Sequence, residues 1–313
     1  MPLTILSPGP LTTVQDEGRF GHLHAGIGRS GAMDARAYRA ANALVGNARG
    51  EAVLEATLMG PTIRFEQACS IALTGADMSA RLDGQPIPRY ACVPVRAGQV
   101  LEMGFAAAGV RGYLAVRGGI DVPLALGSRS TNLKCQLGGW QGRRLAAGDV
   151  LPIGAQTPCQ PPAAPMEPPE YPASITVRAV AGPQAEMFPP ESLAAFFSQA
   201  FTISPDSDRM GIRLQGEPLA SLAGMDIVSD GIVFGAVQVP GNGLPIVLMA
   251  DHQTTGGYAK IATVVTDDLP LLAQARPGTA VRFSPVRVEE IQAAAQPNLL
   301  RKWKEALLYA IRR

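Results

Sequence analysis

One stretch limits the fold before any other: Ala155–Ala173, reading AQTPCQPPAAPMEPPEYPA. Each proline fixes φ and removes an amide donor, so the run can build neither a helix nor an interior strand. It reads as an extended linker or crossover. It divides the 313-residue chain into two parts of domain size, 1–154 and 174–313. These parts echo one another. Gly9-Pro10 follows the first expected strand of one and Gly182-Pro183 that of the other. Ser30–Met33 corresponds to Asp208–Gly211, Leu73–Asp77 to Val247–Asp251, and Arg96-Ala-Gly98 to Arg276-Pro-Gly278, in the same order. Two related β domains with a ligand cleft between equivalent faces are therefore expected.

The 34 glycines and 27 prolines suit short strands joined by turns better than long helices. In the first part, strands are expected at Leu3–Leu6, Ala52–Leu58, Thr62–Phe65, Ser70–Thr74, Ala91–Val95, Val100–Met103 and Gly112–Val116. The polar, Gly-rich segment Thr13–Gly31 reads as an ordered surface loop. Asp34–Val45 carries a helical stripe, with Asp34 as N-cap and Gly46 as stop. In the second part, strands are expected near Ile175–Val180, Phe201–Ile203, Arg213–Leu214, Ile227–Val228, Val237–Val239, Leu244–Ala250, Ala259–Val265 and Ala280–Phe283. Helices are expected at Pro190–Gln199, Asp267–Ala275 and Glu289–Arg313, the last interrupted at Pro297.

Several function classes are disfavoured. A net charge of +1 with no long basic block argues against nucleic-acid binding. No apolar run is long enough to span a bilayer, and the N-terminus lacks the pattern of a signal peptide, so a cytoplasmic location is expected. Cys69, Cys92, Cys135 and Cys159 show no CxxC spacing, which points to neither a zinc site nor a disulfide framework. His22, His24 and His252 are the only histidines, and surface or loop positions explain them better than a metal site. Gly26-Ile-Gly-Arg-Ser-Gly31 fits a dinucleotide fingerprint in letters alone, because no apolar strand precedes it and no βαβ unit surrounds it.

The chemistry concentrates in Val239–Ile261, VPGNGLPIVLMADHQTTGGYAKI. A Pro-Gly-Asn-Gly turn leads into the apolar run Leu244–Ala250, and then Asp251, His252, Gln253, Thr254 and Thr255 follow in succession. Buried strands do not end in such a cluster without partners, so it is expected at a strand end facing a cleft. Gly256-Gly257 would let the backbone approach a ligand. A polar hairpin with an Asp turn is the plainer alternative. Ser204–Arg213 adds two arginines in a turn-rich segment. Arg209 suits a carboxylate or phosphate, and equally a local aspartate in a solvated loop. The face Leu299, Leu300, Trp303, Leu307 and Ile311 of Asn298–Arg313 suits packing on the body or a partner better than a membrane surface.

Taken together, Thr13–Asp16 with Gly18-Arg19, Ser30–Asp34, Gly112–Pro123, Gly127–Thr131, Ser207–Gly211 with Arg213, Gln238–Pro240 and Asp251–Tyr258 resemble the allophanate hydrolase subunit 2 family. This family is also called the biotin-dependent carboxyltransferase family, and its bacterial members are mostly regarded as the C subunit of the ATP-dependent 5-oxoprolinase. The resemblance runs along nearly the whole chain. It implies a mainly β protein of two tandem cyclophilin-like β-barrel domains with a few short helices, assembled with the A and B subunits of that enzyme. It implies ATP-driven opening of the 5-oxoproline lactam to glutamate, with ATP at or near a partner subunit. On this resemblance Asp251 is the expected acid/base or orienting carboxylate. Gln238 and Gln253 would read polar substrate groups, Arg209 would hold an anionic group, and Tyr258 would wall the pocket, with Thr254, Gly256 and Gly257 beside it. No metal is implied. The alternatives are a biotin-dependent carboxyltransferase acting on urea or a related amide, with biotin carried on another chain, and a non-catalytic regulatory component.

Overall fold

The computed structural model describes residues 2–156 and 163–294. The protein is mainly β. Eleven strands lie before the proline-rich stretch: β1 (Pro2–Ser7), β2 (Thr12–Gln15), β3 (Val53–Thr57), β4 (Thr62–Phe65), β5 (Cys69–Asp77), β6 (Arg81–Leu82), β7 (Gln85–Pro86), β8 (Cys92–Val95), β9 (Val100–Glu102), β10 (Ala108–Val116) and β11 (Val150–Pro152). They form two sheets, ordered β11-β1-β4-β9-β6-β7 and β2-β3-β10-β5-β8. Leu3, Ile5, Ile63 and Phe65 of the first sheet share one core with Leu54, Ile71, Leu73, Leu114 and Val116 of the second.

The second sheet is buried on both faces. Along β10, Leu114 and Val116 enter that core, while Tyr113 and Ala115 face helix α1 (Ala35–Leu44) together with Val53 and Ala72. Period-2 alternation thus sends alternate residues to two different cores. Helix α1 begins where the sequence says it should. The Asp34 side chain accepts from the Arg36 and Ala37 amides, satisfying two donors left open by the first turn.

After the proline-rich crossover come β12 (Ser174–Ala181), α2 (Pro190–Ser198), β13 (Phe201–Ile203), β14 (Gly211–Gln215), β15 (Asp226–Gly231), β16 (Ala236–Gln238), β17 (Ile246–Leu248), β18 (Thr255–Tyr258), β19 (Lys260–Val264), α3 (Leu269–Gln274) and β20 (Ala280–Pro285). Seven of these strands close a barrel, β12-β19-β16-β17-β14-β13-β20, sealed by the parallel β12–β20 pair. β15 and β18 form a separate two-stranded ribbon. In the described part of the crossover, Ala163 and Met166 donate to the Ala43 and Tyr90 carbonyls of the first half, and at its end the Ala173 carbonyl accepts from Ala280 of β20. Residues 288–294 are helical. The expected helix Asn298–Arg313 lies outside the described residues.

Among the described residues no strand ladder joins the halves; side chains do. Met33 leaves the first half and packs in the barrel core. Gln274, from α3, donates to the Asp34 carboxylate and the Arg111 carbonyl, and its own carbonyl accepts from the Val110 and Arg111 amides. One buried amide therefore satisfies the bent middle of β10 and the cap of α1 together.

Thr13–Gly31 departs from the expected surface loop. Its first residues are strand β2, entirely buried, and Asp16 and Arg19 are interior. Polar residues fill this strand because their partners come from a distant segment, a pairing that local pattern does not reveal.

Candidate functional site

The 239–245 turn sets the site's floor. Gly243, at φ 74°, donates to the Pro240 carbonyl, and the Asn242 side chain accepts from Leu244. The turn delivers Gln238, the last residue of β16, beside β17 and β14. A cavity of about 560 Å³ opens there, within the range of small-molecule sites. Gln238, Gln253 and Tyr258 line it together with Arg213, Asp206 and Asp208. Gln238 is buried, and its Nε2 lies 3.5 Å from the Tyr258 carbonyl. Gly256 keeps this wall open: a Cβ there would come within 2.7 Å of Gln238 Nε2 and of Ile232 Cδ1. Gly256 and Gly257 are part of β18, paired with β15, and the Thr254 carbonyl accepts from Ile232. Gln238, Gln253 and Tyr258 therefore meet at one cavity, with Gly256 shaping it.

Asp251 and Arg209 sit elsewhere. The strand ends at Leu248, and the chain turns so that the Asp251 amide donates to the Arg209 carbonyl. Their side chains pair, Arg209 Nε to Asp251 Oδ2 at 2.8 Å and Nη2 to Oδ1 at 3.1 Å. Nη2 also donates to the Gly31 carbonyl at 2.8 Å, and Nη1 donates to Glu55 of β3. All three residues are buried. Burial works against the Arg209 charge, but Asp251 and Glu55 outweigh it and hold the guanidinium above its ordinary range. Arg209 thus pairs with an aspartate, though not in a solvated loop. It bridges the halves, and neither it nor Asp251 opens onto the cavity.

Beside this bridge lies a polar knot that the sequence did not single out as a site. Asp16 accepts from the Gly18 amide at 2.8 Å, the Ser128 hydroxyl at 2.7 Å and the Arg129 amide, and its own amide donates to Ser130 Oγ. Arg19 donates to the Ala125 and Ser130 carbonyls at 2.9 Å each, and burial pulls it below its ordinary range. Asn132 donates to Ser30 Oγ, and Gly28 approaches the His252 carbonyl closely enough that a Cβ would stand 3.2 Å from it. His252 lies in the loop between β17 and β18, as expected, but it is buried there rather than on the surface. Its Nδ1 lies 2.6 Å from the Gln253 carbonyl, which can only accept, so Nδ1 carries the proton. The motifs near residues 13–19, 30–34 and 127–131 thus converge with Asp251 and His252 at the seam between the halves. Their density of hydroxyls, carboxylates and arginines was the available signal.

Among the described residues no group of three or more His, Cys, Asp or Glu side chains is arranged to hold a metal, and no helix is long and apolar enough to cross a membrane.

Residues 25–285 match the carboxyltransferase domain, subdomain A and B. The chain belongs to this family. It is 41% identical over 317 residues to the C subunit of 5-oxoprolinase from Haemophilus influenzae, covering 99% of this chain and 98% of that one. It is 43% identical to the Escherichia coli protein of the same name, over 94% of each. The crystal structure of the Kluyveromyces lactis urea amidolyase superposes with a TM-score of 0.84 at 31% identity. That match takes in 95% of this chain but 20% of the amidolyase, so this carboxyltransferase unit corresponds to one part of a much longer protein.

Proposed function

We propose that the chain is the C subunit of an ATP-dependent 5-oxoprolinase, which works with the A and B subunits to open 5-oxo-L-proline to L-glutamate in the cytoplasm. The observation that carries this reading is the end-to-end match to a relative of that name, with 99% of this chain aligned to 98% of the other. The cavity chemistry supports it. A lactam presents its N–H and C=O side by side, and a glutamine amide offers the complementary acceptor and donor. Gln238 and Gln253 would bind that edge, Arg213 would hold the substrate carboxylate, and Tyr258 would wall the pocket. Asp251, Arg209 and Glu55 would position the 251–258 segment by holding it to the first half, with Thr254 and Gly257 keeping its ribbon in register.

The cavity does not fit a triphosphate, since among the described residues Arg213 is the single cation in its lining and shares it with Asp206 and Asp208. ATP belongs, on this reading, to a partner subunit. The structural likeness to urea amidolyase favours a second reading, carboxyl transfer to urea or a related amide from biotin carried on another chain.

A reconstituted complex with the cognate A and B subunits separates the two. Release of ADP and glutamate from 5-oxoproline that requires this chain supports the first reading. An assembled complex without that turnover, but with carboxyl transfer when a biotinylated partner is supplied, supports the second.

A further inference from the structure

A second cavity, of about 160 Å³, lies where the halves meet, on the other side of the Ser204–Arg213 segment from the glutamine-lined one. Its wall is mostly apolar, with Leu11, Leu58, Val110, Ile203, Ile212 and Pro277. Thr57 and Arg111 interrupt it. They are directly opposed in the β3–β10 ladder, so their side chains stand together on one face of the sheet.

Arg111 is 4% exposed. It donates through Nη1 to the Ala273 carbonyl across the seam, but its Nε has no partner, and neither has Thr57 Oγ1. Both atoms are shielded from solvent. Arg111 forms no ion pair among the described residues. The carboxylates that act on it, Glu55 and Asp208, are otherwise engaged. Glu55 accepts from Arg209 and the Met33 amide, and Asp208 Oδ1 accepts from the Met210 and Gly211 amides. Burial first, and the Arg209 charge second, weigh against the Arg111 cation. A buried cation and two idle donors beside an apolar-walled void are costly unless something satisfies them. Water would satisfy the hydrogen bonds. An anion would satisfy them and the charge as well, more strongly for the low-dielectric surroundings.

We propose that this cavity binds a small oxyanion of carboxylate or phosphate size, held by Arg111 Nε and Thr57 Oγ1. It is a different site from the glutamine-lined cavity, and its volume excludes a nucleotide. Because Thr57 and Arg111 come from the first half while Ser207, Asp208 and Arg209 close the far side, an occupant ties the two halves together and stabilises the folded chain.

Calorimetric titration of the full chain with inorganic phosphate, bicarbonate and acetate, at ionic strength matched with chloride, tests the proposal, with Tm measured in parallel. At least one anion binds and raises Tm, and its identity separates a phosphate source from a carboxylate one. Thr57→Val, which keeps shape and removes the hydroxyl, weakens that binding by about tenfold or more, and Arg111→Met abolishes it. Should Arg111→Met not fold, Thr57→Val decides alone. Absence of binding by all three anions, or equal binding in Thr57→Val, overturns the proposal and leaves the cavity to water.

Discussion

Arg209 and Glu55 stand 154 residues apart in the chain and form a buried ion pair across the seam between the two halves. Asp251 shares the same guanidinium from the other side. Removing one member would strand the others as uncompensated buried charges, which costs roughly 3–5 kcal/mol. Arg209→Met is therefore expected to lower unfolding stability by about that amount in chemical denaturation. A loss below about 1 kcal/mol would mean that the group behaves as a solvated pair.

Asp16→Asn tests the polar knot. The Asp16 carboxylate accepts from two amides and from the Ser128 and Ser130 hydroxyls, whereas an amide puts one donor where only acceptors serve. Hydrogen bonds to a charged group contribute about 1.5–3 kcal/mol. A loss in that range, read as a lower denaturation midpoint at unchanged slope, is expected.

Gly256→Ala is expected to impair substrate binding while the fold survives. The added Cβ would collide with Gln238 Nε2 and Ile232 Cδ1, pushing the amide off the cavity wall. In the reconstituted complex KM should rise about tenfold or more, with smaller change in kcat. Wild-type KM would show that Gln238 does not contact the substrate.

His252 makes stability pH-dependent. Burial holds its imidazole below the ordinary histidine value of 6.5, although the Gln253 carbonyl and Asp251 favour the cation. The unfolded chain takes up its proton near pH 6.5 and the folded chain only at lower pH. This contribution to stability is complete above that value and is lost as the pH falls below it. Between about pH 7.5 and about pH 5.5 the wild type should lose more stability than His252→Gln, and parallel profiles would remove His252 as the cause.

The sequence showed local structure well and long-range pairing poorly. Thr62–Phe65 and Phe201–Ile203 have the predicted bounds, because apolar and β-branched residues between turn signals suffice to define them. Asp34 was legible as a cap from its place before the alanine stripe. β2 and β18 were not, because polar residues and glycines carry no strand pattern of their own. Within the candidate site, Gln238, Gln253 and Tyr258 share one cavity, lying as they do on one connected stretch. The partners of Asp251 could not be read. Arg209 is 42 residues away, and the pairing of β14 with β17 brings it to Asp251.

On the proposed function, the lactam binds in the cavity beside Gln238. The most direct test is the KM for 5-oxoproline of the reconstituted complex carrying Gln238→Leu, with assembly checked by gel filtration. An intact complex whose KM rises by about tenfold or more is expected, because a site's polar partner for an amide has been removed. An intact complex with wild-type KM would contradict this placement of the lactam and move the search for the substrate to the seam around Asp16, Arg19 and Asp251.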